Sequence, residues 1–329
     1  MLDYKLSGYH GIILSKADVG LDVGGPVASH VFISHAHADH LPRDRKMTVY
    51  ASEATEALMR CRGFKGDVIT RPFFEPLELP NCRVTLYPAG HILGSAMIYV
   101  ETDTESVLYS GDYKSPPSPV SEGFSLPEQA DYFITEATFP LPVYKWKPQD
   151  ELFAEIRDFA KSALDEGATP VFLCYNLGKA QEVMHGLSPL GEKIQIHGAG
   201  FPLCEVYSKF GYDIGDYEKY NRETVKDRRI LVCPSSSLEQ PMIRNIRKKR
   251  IAYVSGWATH EARRSQLTID KLVPLSDHID FFELLEVCKK LSPKHVYITH
   301  TPNPDVVNHY LNELGISSSA LNLEAVDNE

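Results

Sequence analysis

Apolar positions in the first part of the chain come in short bursts rich in Val, Ile, Tyr and Thr. The segments "HVFIS", "MTVYAS", "RVTLYPAG", "AMIYVET", "SVLYSGD" and "DYFITEAT" follow one another in this style and predict short strands. One helix is expected between them, over "SEATEALMRCRG", with Ser52 as N-cap and Gly63 just past the end. From residue 148 the period changes. In "PQDELFAEIRDFAKSALDEG", Leu152, Phe153, Ile156, Phe159, Ala160 and Ala163 share one helical face, and Gly167 stops the helix. Strand and helix then alternate through "TPVFLCY", "NLGKAQEVMHGL", "KIQIHG", "RRILVC" and "RIAYVSG", the pattern of a parallel sheet with crossover connections. The chain closes with a strand "KLVPLSD", a helix "DFFELLEVCKKL", a strand "KHVYITH" and a helix "DVVNHYLNELG". No repeat, low-complexity tract or long linker separates these stretches. The expectation is one host domain that carries an insertion.

Composition narrows the class. Hydrophobic residues make up 43% and charged residues 24%, the balance of a globular chain, and no run of about 18 apolar residues is present to span a bilayer. The N-terminal "MLDYKLSGYHGIIL" lacks the pattern of a signal peptide, so a cytoplasmic location is expected. Six scattered cysteines without a C-x-x-C pair argue against a thiolate zinc site or a disulfide framework. A net charge of −10 argues against whole-surface attraction to nucleic acid. It leaves room for a local basic patch at Arg244, Arg247, Lys248, Lys249 and Arg250, with Arg263 and Arg264 further on; a solvated helix end is the plainer reading of that run.

Candidate chemistry begins at "VFISHAHADHLP", where His35, His37, Asp39 and His40 crowd the end of an apolar strand. In extended chain, positions 35, 37 and 39 share one direction and 40 breaks it, so one loop can aim ligands at two adjacent points. Imidazole and carboxylate suit zinc, manganese or iron. His91, Asp112, His278 and His300 each stand where another apolar run stops, as convergence at one sheet edge requires.

Taken in order, "SHAHADH", "PAGHILGSAMIYVE", "LYSGDYK", "TEATF", "PLSDHIDF" and "VYITH" resemble the metallo-β-lactamase superfamily, and most closely its nucleic-acid-processing branch with an inserted β-CASP domain. "TEATFPLPVYKW", "YNLGKAQEV", "IHG", "VSGWA" and "LSDHIDFFELL" are similar to the ligase-associated DNA exonucleases of bacteria. The resemblance covers nearly the whole chain. It implies an α/β fold, with a metallo-β-lactamase αββα sandwich over residues 1–144 and 271–329. A β-CASP domain, a parallel sheet with helices, would occupy residues 145–270.

The same resemblance implies roles. His35, His37 and His91 would hold one metal, Asp39 and His40 a second, Asp112 would bridge them, and His300 would add a ligand to the second. His278 matches the family's general acid, oriented by Glu136; a satisfied strand-end carboxylate is the plainer reading of Glu136. Asp39 is counted with the catalytic residues as well as with the ligands. Two divalent ions are implied, zinc first and manganese as the other choice. "YNLGKAQ" places Tyr175, Gly178 and Lys179 at a strand–helix junction suited to a phosphate. Ser235 and Ser236 offer hydroxyls to another phosphate or form a bare turn. Trp257 offers a ring for base stacking or packs a domain junction.

The expected activity is a two-metal DNA exonuclease in repair, acting on a single strand or a free end, functionally linked to a DNA ligase and a helicase. A 5′-to-3′ direction is implied by likeness to Artemis-type nucleases. An RNA-processing nuclease of the same branch is the alternative, because His300 is the residue type of the RNA members. A small-molecule thioester or lactam hydrolase would not need the insertion, and a non-catalytic binding module would have lost ligands. The sequence ends at "ELGISSSALNLEAVDNE", which suggests no added assembly domain, hence a monomer.

Overall fold

The computed structural model describes residues 2–7, 11–259 and 269–321; Arg263 and Arg264 fall outside them. By contact the chain forms two compact units: Met1–Pro117 with Ser121–Lys145 and His278–Glu329, and Ser118–Val120 with Trp146–Asp277.

The first unit contains, in chain order, β1 Tyr4–Ser7, β2 Gly11–Leu14, β3 Val19–Leu21, β4 His30–Phe32, β5 Val49–Ala51, α1 Glu53–Cys61, β6 Val68–Thr70, β7 Leu77–Leu79, β8 Cys82–Pro88, β9 Ala96–Glu101, β10 Ser106–Tyr109 and β11 Tyr132–Glu136. After the second unit come α6 Phe281–Leu291, β18 His295–Thr299, α7 Pro304–Glu313 and β19 Ser318–Ala320. The strands form two sheets, β1-β2-β3-β4-β5-β6 and β19-β18-β11-β10-β9-β8-β7. Period-two alternation sorts the side chains. Ile98, Val100, Val107, Tyr109 and Ile134 meet Ile12, Leu14, Val19, Leu21 and Phe32 in the core between the sheets. Met97, Leu108, Phe133, Val296 and Ile298 face the other way and pack on Phe281, Leu284, Cys288, Val307 and Leu311 of α6 and α7. Ser52 caps α1 as expected, accepting from Thr55 N. The result is the αββα sandwich.

Strand direction prepares a site. β10, β11 and β18 are mutually parallel, and β8 points the same way because two antiparallel steps through β9 restore direction. Their C-termini therefore share one edge. In the facing sheet, β3 and β4 are parallel to each other and lead into Asp22 and "SHAHADH". Gly111 lets the chain turn after β10. Its φ is +53°, and a Cβ there would lie 2.6 Å from Ser34 Cβ, which no side chain tolerates without a shift.

The second unit is built on α2 Gln149–Asp165, β12 Thr169–Leu173, α3 Lys179–Leu187, β13 Ile194–Ile196, α4 Phe201–Lys209, β14 Tyr217–Lys219, β15 Ile230–Cys233, α5 Pro241–Arg244, β16 Lys249–Val254 and β17 Lys271–Val273. Its six strands are all parallel, in the order β14-β13-β15-β12-β16-β17. Phe159 of α2 lies edge-on to Phe172 on one face of the sheet. On the other face Val171, Leu173, Leu231, Cys233 and Ile251 are covered by Val225, Ile243 and Ile246. By contact the chain returns to the first unit at His278, because Lys271–Val273 pairs with β16. The basic run is no single helix end: Arg244 closes α5, while Lys249 and Arg250 open β16.

Gly111→Ala should destabilise the fold by roughly 2–4 kcal/mol, the left-handed backbone cost plus the overlap with Ser34. Urea unfolding of the two proteins measures it; an unchanged midpoint would contradict this account of the turn.

Candidate metal centre

The loop after β4 is tied down before any ligand is placed. Ser34 N–H donates to Asp22 Oδ1 at 2.7 Å and Ser34 Oγ–H to Asp22 Oδ2 at 2.6 Å. Tyr109 OH donates to the same Oδ2 at 2.9 Å. Ala96 N–H donates to Ser34 O at 2.8 Å, joining the two sheets. His91 is fixed by Ser95, whose Oγ accepts from His91 N at 3.1 Å and from Ile92 N at 3.2 Å.

His35, His37, His91 and Asp112 then converge. One ligand atom from each lies within 4.8 Å of all the others, and all four residues are buried. His91 Nε2 is 3.0 Å from His37 Nδ1. The two oxygens of Asp112 face different nitrogens. Oδ2 is 3.5 Å from His35 Nε2 and 3.7 Å from His91 Nε2, while Oδ1 is 3.6 Å from His40 Nε2. His40 Nε2 also lies 3.9 Å from Asp39 Oδ2. A carboxylate presented to two nitrogen sets suits a bridging position.

Electrostatics follow from burial. Desolvation, reinforced by the neighbouring imidazoles of His40, His37, His91 and His278, pushes the His35 pKa well below the ordinary value. His35 is thereby kept neutral, as a ligand must be. Burial raises Asp112 to about 7 against the pull of His40 and His278. Burial also opposes charge on His40, but Asp112, Asp22 and Asp39 overcome it and raise that imidazole to about 10. Among the described residues, His35 Nε2 is buried without a hydrogen-bond partner. An orphaned polar atom costs about 1–3 kcal/mol, and a cation among these ligand atoms would remove that cost. The donor set, neutral imidazoles plus carboxylate without thiolate, fits a divalent ion.

The other expected ligands stand further out. Asp39 is more than half exposed, and His300, at φ +48°, has its ring 5.5 Å from that of His40, with Nδ1 3.1 Å from Thr299 Oγ1. Neither joins the tight four-residue cluster.

Beside the cluster is a charged pair. His278 Nδ1 lies 2.9 Å from both carboxylate oxygens of Glu136. Glu136, fully buried, also accepts from Tyr113 N at 3.0 Å, from Thr138 N at 3.3 Å and from the Thr138 hydroxyl. Burial alone would raise its pKa; the His278 charge and these donors win and hold it at about 2. The bond fixes the Nδ1–H tautomer and leaves Nε2 on the other side of the ring, whose centroid lies 4.7 Å from that of His91 at a tilt of 55°.

Asp22 was absent from the expected site. It accepts from His40 Nδ1 at 2.7 Å and so orients His40 Nε2 toward Asp112. The signal was present in "VGLD", an acid where an apolar run stops, the rule that singled out Asp112.

Of the expected phosphate contacts in the second unit, Tyr175, Lys179, Ser235 and Ser236 line one cavity of about 350 Å3 at the C-terminal ends of β12 and β15. The Lys179 charge, however, is met within the fold: its ammonium donates to Glu182 Oε2 at 2.6 Å and lies 3.6 Å from Asp277 Oδ1. Gly178, at φ +86°, donates its N–H to Gln181 Oε1 at 2.7 Å. Trp257 is half-buried, with its backbone N–H on Ser255 Oγ at 3.3 Å.

No family model matches the chain. A protein named probable DNA ligase, from Opitutus terrae, is 33% identical over 301 residues, 91% of this chain and 29% of that protein. An RNase J-like protein of Methanocaldococcus jannaschii is 27% identical over 213 residues, 56% of this chain and 47% of its own length. A ribonuclease of Thermus thermophilus is 27% identical over 203 residues, 54% of this chain and 45% of its own. The chain thus spans less than half of each of these relatives. Two sheets between helices, with a histidine–aspartate cluster at strand C-termini, define a metallo-β-lactamase-type fold. The chain belongs to the metallo-β-lactamase superfamily, in its β-CASP branch. No helix among the described residues is long and apolar enough to cross a membrane.

Asp22→Ala should weaken divalent-metal affinity about 10–100-fold by freeing the His40 ring; chelator competition followed by metal analysis measures it. Glu136 contributes stability that is complete above its ordinary value of 4.5 and lost as pH falls toward about 2. Unfolding free energy of Glu136→Gln should therefore lack this falling segment in that window, and parallel curves for the two proteins would refute the pairing.

Proposed function

We propose that the chain is a two-metal DNA exonuclease that hydrolyses phosphodiester bonds in DNA repair. The reading rests above all on one observation: a buried His35–His37–His91–Asp112 cluster lies beside a Glu136–His278 pair. His35, His37 and His91 would hold one divalent ion, His40, Asp39 and His300 a second, with Asp112 between them; zinc suits the donors best, and manganese is the other choice. Such ions, when bound, supply Lewis acidity that ionises water and neutralises phosphodiester oxygens. His278 then delivers a proton from Nε2 to the departing sugar oxygen. Glu136 keeps that imidazole charged and aimed. Asp22 and Ser34 hold the ligand loop so that its geometry precedes substrate binding. A satisfied strand-end carboxylate would not need a histidine partner, which favours the orienting role for Glu136.

DNA is preferred as substrate because an alignment spanning 91% of this chain is with a protein named probable DNA ligase. That likeness also supports a functional link to ligation, and an end or single strand as the form acted on. The RNase J-like protein and the ribonuclease favour RNA as the second reading. Matched DNA and RNA strands, labelled at either end and supplied with zinc or manganese, decide between them. Faster release from DNA supports the proposal, and a clear preference for RNA overturns it. The first label released gives the direction, 5′-to-3′ being expected.

His278→Ala should cut turnover by about 10²–10⁴-fold with metal content unchanged; loss of one metal equivalent would move His278 among the ligands. Asp112→Ala should lower occupancy at both positions, measured by elemental analysis, and full activity with two ions retained would remove it as the bridge.

A further inference from the structure

A second cavity in the parallel-sheet unit has chemistry that the metal centre does not use. It measures about 430 Å3, within the usual range for small-molecule sites. Its origin is topological. Parallel strands are ordinarily joined by crossover helices, but β14 reaches β15 through turns alone, and β15 reaches β16 with only a 3-10 turn at Ser235–Ser237 and the four-residue α5. These thin connections cover the sheet face incompletely. Val225 and Ile246 are buried beneath the gap, and the half-buried Tyr220 and Met242 pack beside them. The Tyr220 ring is held in place, because its hydroxyl donates to Met242 O at 3.3 Å.

The rim is cationic. Arg222, Lys226, Arg247 and Lys248 line the cavity, with Glu223 as the one acidic residue among its lining. Several other basic residues of this unit are matched: Arg228 with Glu192 at 2.7 Å, Arg229 with Glu218 at 3.3 Å, Arg250 with Glu166 at 2.9 Å and Lys271 with Glu155 at 2.8 Å. Arg222, Lys226 and Arg247 make no ion pair among the described residues, and Lys248 donates to the Glu166 backbone carbonyl, which leaves its charge uncompensated. In a chain of net charge −10, several unmatched cations around one apolar-floored pocket are a built asymmetry.

We propose that this cavity binds a nucleoside monophosphate unit, the base on the Tyr220–Met242 floor and the phosphate on the Arg222, Lys226, Arg247 and Lys248 rim. A flat ring joined to a dianion matches both halves of the lining: aromatic stacking below and charge-assisted hydrogen bonds above. The volume accepts one such unit rather than the apolar face of a helix. The inference does not depend on the nuclease reading, because the residues involved take no part in the metal cluster.

The test uses the full chain with a chelator present, so that no cleavage occurs. Calorimetric titration with adenosine 5′-monophosphate should show one saturable site, at least about ten-fold tighter than inorganic phosphate alone. Lys226→Glu combined with Arg247→Glu, both exposed positions, should weaken it by about ten-fold or more, as loss of charge-assisted bonds requires. Its thermal midpoint confirms that this variant is folded. His35→Ala should leave binding unchanged. A short single strand that competes more tightly than the free nucleotide would make the ligand a nucleotide within a strand; weaker competition would make it the free one. No saturable binding, equal affinity for inorganic phosphate, indifference to the charge reversals, or preferential displacement by a glutamate-rich peptide would each overturn the proposal.

Discussion

A carboxylate removed from water must face cations or donors, and the arrangement around Asp112 answers that demand. The side chain is buried at the edge where β8, β10, β11 and β18 end, and its two oxygens look toward different imidazoles. Desolvation raises it to about 7. The surrounding histidines lose solvent for the same reason, which keeps His35 neutral and, among the described residues, leaves its Nε2 without a hydrogen-bond partner. A fold that assembles such groups carries an unmet electrostatic need, and a divalent ion meets it.

The remainder of the first unit serves to hold that edge. Two sheets of opposed apolar faces fix strand ends relative to one another, and polar ties lock the loops that leave them. Asp22 takes four hydrogen bonds, from Ser34 N and Oγ, Tyr109 and His40, and so links the ligand loop to both sheets. Glu136 plays the matching part for His278. Both carboxylates are buried and fully engaged, so each fixes a ring tautomer and direction before any substrate arrives. Preorganisation of this kind lowers the cost of reaching the reactive geometry.

Charge in the second unit is placed by a different logic. Lys179 sits at a strand–helix junction suited to an anion, yet its ammonium belongs to Glu182 and Asp277 and acts as internal structure. A group of cations without ion pairs among the described residues, Arg222, Lys226 and Arg247, lies elsewhere, over the gap left by thin crossovers. The single lysine of "YNLGKAQ" therefore carries a charge met within the fold, by acids three and nearly a hundred residues away.

The sequence by itself determined the local grammar. Alternating apolar runs set the strands of the two-sheet unit, helical spacing set α2 and α6, and polar residues at run ends marked His35, His37, His91, Asp112 and His278, while Glu136 came in only through the family resemblance. Those features depend on neighbours a few positions apart, so periodicity reveals them. Very short strands such as β1, β3, β7, β14 and β19, together with helix α4, escaped that reading, since three or four residues, or a helix with a weak apolar face, carry too little pattern. Only the tertiary structure decided which nitrogens face which oxygen of Asp112, that Asp22 supports His40, and that Lys271–Val273 completes the parallel sheet. It also decided that Lys179 is neutralised while, among the described residues, Arg222, Lys226 and Arg247 have no ion pair. Each of those outcomes turns on distances between segments far apart in the chain and on the water excluded between them, and neither quantity exists until the chain is folded.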